Sequence, residues 1–224
     1  MLEQILHVER DAFLFLNGCH TPYWDQFIWL YTGKIVWIPI ALFIVFTICY
    51  KKNWKESLLI LLSIVLVITL CDQFASSICK PLFTRFRPTQ HPEFMDQVQT
   101  VYGYRGGRYG FISSHAANAF GFATYTLLLF NYRIYTFLIL VWSTLMSYTR
   151  IYLGVHFISD IIPAIIAGLL FGFLCFGIYL FVRKKILKSE NPPEKLHTVF
   201  QKRLVVYGIL TTIIFMLIFS AIST

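Results

Sequence analysis

Charge is scarce in this chain: 13% of its 224 residues are Asp, Glu, Lys or Arg, against about 25% in a soluble globular domain. The acids are the rarer sign, 11 against 19 Lys and Arg, and they are scattered. Only Asp25, Asp72 and Asp160 stand at or inside apolar runs. This excludes the carboxylate clusters with which metal-dependent phosphatases hold one or two ions, and no metal or other cofactor is expected. Cysteine is sparse too. Cys19, Cys49, Cys71, Cys79 and Cys175 form no C-x-x-C pair, so a zinc site or a disulfide framework is not expected, and they read as small packing residues. The net charge of +8 comes without a basic–aromatic surface motif, which argues against nucleic acid as a partner. A cleavable leader is not expected either: Glu3, Glu9, Arg10 and Asp11 precede any long apolar run, the wrong order for a signal peptide.

Apolar residues are plentiful, 57% of the chain, and they come in long runs. A membrane span needs about 20 of them. Six candidates appear, at 27–50, 57–79, 112–131, 133–149, 157–182 and 203–222. The expected fold is an all-α membrane protein, one domain over residues 1–224 built as a bundle of six transmembrane helices. Residues 1–23 mix Leu6, Phe13 and Leu16 with charges; they read as a surface amphipathic segment or a frayed terminus. Trp24, Trp29, Trp37, Trp54 and Trp142 read as interface belt and lipid-facing packing.

Loop charge orients the bundle. Lys51, Lys52, Lys55, Arg133, Arg183, Lys184, Lys185, Lys188, Lys195 and Lys202 fall in the loops 51–56, 131–133 and 183–202. Cytoplasmic loops carry such an excess, so 183–202 reads as a cytoplasmic linker. The N-terminus, the long loop 80–111 and the short loop 150–156 then face outward, and their cations need another explanation.

Three segments supply one. Lys80 and Arg87-Pro88 end the second run, Ser113-Ser114-His115 opens the third, and Arg150, His156 and Asp160 join the fourth to the fifth. Topology puts all three at one membrane edge. Guanidinium groups match phosphate oxygens in bidentate geometry. Ser113 adds a hydroxyl, and the amides at the start of a helix there would point at an anion. His115 and His156 offer acid, base or nucleophile near neutral pH. Asp160, four residues beyond His156, shares its helix face and can hold one ring nitrogen while the other stays free to attack. Together these form a phosphoryl-transfer set with no metal.

The elements Lys80-x6-Arg87-Pro88, Ser113-x-His115 and Arg150-x5-His156-x3-Asp160 resemble the three signature motifs of the type-2 phosphatidic acid phosphatase superfamily. They cover residues 80–160, and the six-span layout is similar to the membrane branch of that family. The resemblance implies hydrolysis of a lipid phosphate or diphosphate at the outer face of the cell (inner) membrane, toward the periplasm, among membrane lipids. It implies that His156 forms a phosphohistidine, that Asp160 orients it, and that His115 protonates the leaving group. Lys80, Arg87, Ser113, Ser114 and Arg150 would hold the phosphate. Undecaprenyl diphosphate, lipid A, phosphatidylglycerol phosphate and phosphatidic acid all stay open as substrates, because the motifs bind the phosphate they share. Two of the motifs depart from the family pattern. Pro-Ser-Gly-His is replaced by Ile112-Ser113-Ser114-His115, and Thr149 stands where Ser is usual. A non-catalytic lipid-phosphate carrier is the alternative.

Outside the motifs, His7, His20, His91 and His197 read as structural. Arg85, Arg105 and Arg108 either bind anionic head groups or solvate a loop. Asp72 is expected to pair with a motif cation, and Lys34 to snorkel to the interface.

Overall fold

In the computed structural model, which describes residues 2–188 and 191–224, the chain is all-helical; among the described residues no strand forms. Side chains are described from residue 8 onward, except that of residue 194, so the reading of His7 lies outside the described residues. The helices are α1 (Leu2–Asn17), α2 (Pro22–Thr32), α3 (Lys34–Cys49), α4 (Trp54–Gln73), the short α5 (Lys80–Phe83), α6 (Ser114–Phe130), α7 (Arg133–Tyr152), α8 (Ile158–Val182) and α9 (Val199–Ser223).

Four helical stretches are long and apolar enough to cross a membrane: Trp54–Phe83, Arg133–Tyr152, Ile158–Leu187 and Val199–Ser223. The first expected run, 27–50, is broken: α2 and α3 meet at Gly33 with a bend of 46°. Gly33 stands extended between the two helices, and a Cβ there would lie 3.1 Å from the Leu30 carbonyl oxygen. The run 57–79 is longer than expected. A π-helical stretch, Phe74–Cys79, continues α4 into α5, so Lys80 sits on a helix and not in a loop. The polar stretch 183–202 is likewise helical at both ends: Arg183–Leu187 continues α8, and α9 begins at Val199 under a Thr198 cap.

The centre of the bundle is α6, which packs on α4, α7 and α8. Its buried face is built from small residues, Ala116, Ala117, Ala119, Gly121 and Ala123. Small residues let membrane helices approach closely, and here the approach is close enough to exclude side chains. A Cβ added at Gly168 of α8 would lie 2.5 Å from the Ala117 carbonyl oxygen, and one at Gly172 would lie 2.5 Å from Thr124 Cβ. Large apolar side chains such as Ile35, Leu62, Phe137, Leu170, Phe181 and Phe215 point outward. Such an apolar exterior suits lipid, not water.

At the basic end, Arg183 Nε donates to Glu56 Oε1 at 2.8 Å and Tyr179 Oη donates to the same oxygen at 2.5 Å. This buried pair ties the start of α4 to the end of α8. The three motifs lie at the opposite ends of the helices.

Candidate active site

The last turn of α4–α5 carries Lys80, whose Nζ donates to Ser76 Oγ at 3.1 Å and to Ser114 Oγ at 3.4 Å. These hydroxyls, not the Asp72 carboxylate expected from the sequence, are its hydrogen-bond partners. The Ser114 contact joins the first motif to the second. Ser113 caps α6: its Oγ accepts from Ala116 N, and its own N–H donates to the Asp160 carbonyl at 3.1 Å. That backbone bond joins the second motif to the third. The Ser113 hydroxyl is fully buried and engaged in the cap.

Arg87 and Arg150 close the ring of cations. Arg87 Nε donates to the Tyr109 carbonyl at 3.1 Å. Arg150, at the end of α7, is 3% exposed. Its Nη1 donates to Thr32 Oγ1 at 2.8 Å, and its Nε has no hydrogen-bond partner among the described residues. The chain then doubles back through Leu153–Phe157, where the N–H groups of Val155 and His156 both donate to the Arg150 carbonyl. Gly154 makes this reversal with φ +68, and a Cβ there would lie 2.4 Å from Val98 Cγ1. The turn delivers the His156 ring into the protein interior, 1% exposed.

Asp160 is fully buried on the first turn of α8. Its Oδ2 accepts from Phe157 N at 2.9 Å and lies 3.5 Å from His156 Nδ1. That separation is longer than a good hydrogen bond: the carboxylate faces Nδ1, which has no hydrogen-bond partner among the described residues. Burial, followed by the charges of Arg87, Arg150 and Lys80, holds the His156 imidazole well below the usual His range. The ring is therefore neutral at pH 7, the form a nucleophile needs. The charges of Arg150, His156, Arg87 and Lys34 act on His115, which opens α6 beside Ser114, and those of Arg87, Arg150 and Lys80 act on His156.

Sequence reasoning missed two participants. Arg85 neither solvates a loop nor faces a head group. It is 3% exposed, and its Nη1 donates to Asp160 Oδ1 at 2.8 Å. Only its position two residues before Arg87 pointed to the site. Gly110 is the other. A Cβ there would lie 3.2 Å from Arg87 Cγ, 3.2 Å from Asp160 Oδ2 and 3.5 Å from His156 Nδ1. It sits where only backbone fits between motif cation, carboxylate and imidazole.

The long loop 89–110 is pinned to this end. Arg87 N donates to Arg108 O and Gly110 N to Arg85 O, forming a short antiparallel bridge between Phe86 and Tyr109. Thr89 Oγ1 donates to the Arg105 carbonyl, and the Arg108 guanidinium lies 5.2 Å from the Phe86 ring centre. Tyr102 and Tyr104 pack edge-on against Trp29 of α2, and Tyr102 Oη donates to Gln26. Away from the motifs, His20 bonds Asp25 and the Tyr152 carbonyl, and His197 packs on Phe130. Both have the structural surroundings expected of them.

Residues 57–184 match the PAP2 superfamily, a stretch that takes in all three motifs. The chain belongs to that family. It is 46% identical over 191 residues to a lipid A 4'-phosphatase of Porphyromonas gingivalis, covering 85% of this chain and 81% of that protein. It is 36% identical over 230 residues to a lipid A 4'-phosphatase of Bacteroides thetaiotaomicron, covering 100% of both. Two solved structures share the fold. One is the transmembrane PAP2-type phosphatidylglycerolphosphate phosphatase of Bacillus subtilis, with a TM-score of 0.62 at 20% identity over 80% of this chain and 88% of that one. The other is LpxE of Aquifex aeolicus, with a TM-score of 0.54 at 23% identity over 76% and 95%. The protein is thus an integral membrane enzyme of the phosphoric monoester hydrolase class, and the carrier alternative is set aside.

Proposed function

We propose that this PAP2 enzyme hydrolyses a phosphate monoester of lipid A, the substrate in the names of both relatives. The observation that carries the chemistry is the arrangement at His156. Its Nδ1 faces the Asp160 carboxylate, and the charges of Arg87, Arg150 and Lys80 act on the ring. Nε2 attacks phosphorus as the ester P–O bond breaks, and His115, protonated once the bound phosphate dianion offsets the surrounding cations, gives its proton to the departing sugar oxygen. The equatorial oxygens rest on Lys80, Arg87 and Arg150, with Ser113 and Ser114 at the amide-rich start of α6. Water then attacks the phosphohistidine, His115 takes up its proton, and phosphate leaves with His156 restored.

The site serves a single transmembrane domain of six crossings. These are the four long helices, the bent pair α2–α3, and α6. The last has 17 residues, about 26 Å at about 1.5 Å per residue, against a hydrocarbon core of about 30 Å. The basic ends face the cytoplasm and the site faces the periplasm across the inner membrane, with α1 on the outer surface. Phosphate release from lipid A, phosphatidic acid, phosphatidylglycerol phosphate and undecaprenyl diphosphate tests this reading. Lipid A has the highest kcat/KM, release persists in EDTA, vanadate inhibits it, and His156→Ala abolishes it. A higher kcat/KM for undecaprenyl diphosphate would overturn the substrate assignment.

A further inference from the structure

Helix α1 lies outside the residues that match the family, yet it reaches the core of the site. Its Glu9 is 9% exposed. Glu9 Oε1 accepts from Arg85 Nη2 at 2.7 Å and from Ser159 Oγ at 2.6 Å, while Oε2 accepts from the Ser159 N–H at 2.8 Å. Arg85 spans two buried carboxylates, because its Nη1 donates to Asp160 Oδ1 at 2.8 Å. Its guanidinium also lies 4.7 Å from the Phe157 ring centre. The chain of contacts is therefore Glu9, Arg85, Asp160, His156.

We propose that Glu9 is a positioning residue for the reaction, acting through Arg85 on the Asp160 carboxylate that supports His156. The inference rests on the proposed role of His156. A lone buried guanidinium against Asp160 would neutralise it and draw both its oxygens away from the imidazole. Shared with Glu9, Arg85 holds Asp160 by Oδ1 alone and leaves Oδ2 toward His156 Nδ1. The buried triad then keeps one net negative charge. That charge faces the ring as Nε2 bonds to phosphorus and positive charge develops at Nδ1–H. Such networks orient a catalytic group at one remove, and their members act as a unit.

Steady-state phosphate release by the full-length enzyme in detergent, with thermal stability read alongside, tests the proposal. E9Q keeps the side chain's shape and removes its charge. It lowers kcat about tenfold with KM within about twofold of wild type. R85K lowers kcat by at least as much, and E9Q/R85K is no slower than R85K, as members of one network are not additive. A tether of α1 alone would change stability and leave kcat per folded molecule intact. If E9Q yields too little folded enzyme, R85K is read in the same assay with the same expectation for kcat against KM. Wild-type kcat in E9Q, or losses that add in the double variant, overturns the proposal. Wild-type release that survives His156→Ala instead overturns the reading on which it rests.

Discussion

Arg150 Nη1, near the end of α7, donates to Thr32 Oγ1 at 2.8 Å, at the last residue of α2 before its break with α3. A residue of the third motif is thus held by the bent pair α2–α3, more than a hundred positions earlier. Thr32 is the last residue of α2, beside the 46° bend at Gly33.

Thr32→Val therefore weakens catalysis without unfolding the protein. A hydrogen bond to a charged group contributes about 1.5–3 kcal/mol, so kcat/KM falls roughly tenfold to hundredfold. Kinetics on the purified variant check this. Unchanged kcat/KM would mean that Arg150 needs no help from α2.

Gly110 offers a second test. Its added Cβ would meet Arg87, Asp160 and His156 within 3.5 Å. Gly110→Ala pushes at least one of them from place and lowers kcat at least tenfold, since small misplacements at a site are costly. Gly103, on the same loop, has nothing within 4 Å of an added Cβ but a φ of +72. Gly103→Asn, which tolerates that backbone, keeps activity.

The ionisation of His156 has a defined sign. Its pKa is depressed by burial and by Arg87, Arg150 and Lys80, so the neutral ring persists as pH falls through 6.5. The acid limb of kcat/KM assigned to this group therefore lies below 6.5. Arg87→Met removes one of the depressing charges and moves the ring's titration upward. Imidazole NMR of the labelled protein reads that shift; a downward move would contradict the electrostatic account.

At the far end, breaking the Glu56–Arg183 pair should harm the fold and not the chemistry. The two groups are 2.8 Å apart and buried. Removing one partner of such a pair costs about 3–5 kcal/mol. Glu56→Ala lowers the unfolding temperature while kcat per folded molecule stays near wild type.

Much of the site was legible in the sequence because titratable residues and their spacing are sequence properties. His156 and Asp160 are four residues apart, although His156 precedes α8 and does not share a helix face with Asp160, and topology brings Lys80 and Arg87 to the same edge. Long apolar runs likewise marked the four helical stretches long enough to cross a membrane, Trp54–Phe83, Arg133–Tyr152, Ile158–Leu187 and Val199–Ser223. The break in α2–α3 was not legible, since an apolar run with one glycine reads the same whether straight or bent. Arg85 was missed because its partners, Glu9 and Asp160, are distant in sequence and on separate helices. Nothing local distinguishes a buried guanidinium from one that solvates a loop. Gly110 was missed for a related reason: its role is the space it leaves.

The central claim is that His156 carries the phosphoryl group. Enzyme mixed with lipid A labelled in its phosphate and quenched in alkali within one turnover tests it, because phosphohistidine survives base and is lost in acid. The account predicts base-stable label on the peptide containing His156 in wild type and none in His156→Ala. Label on another residue, or full turnover by His156→Ala, would contradict it.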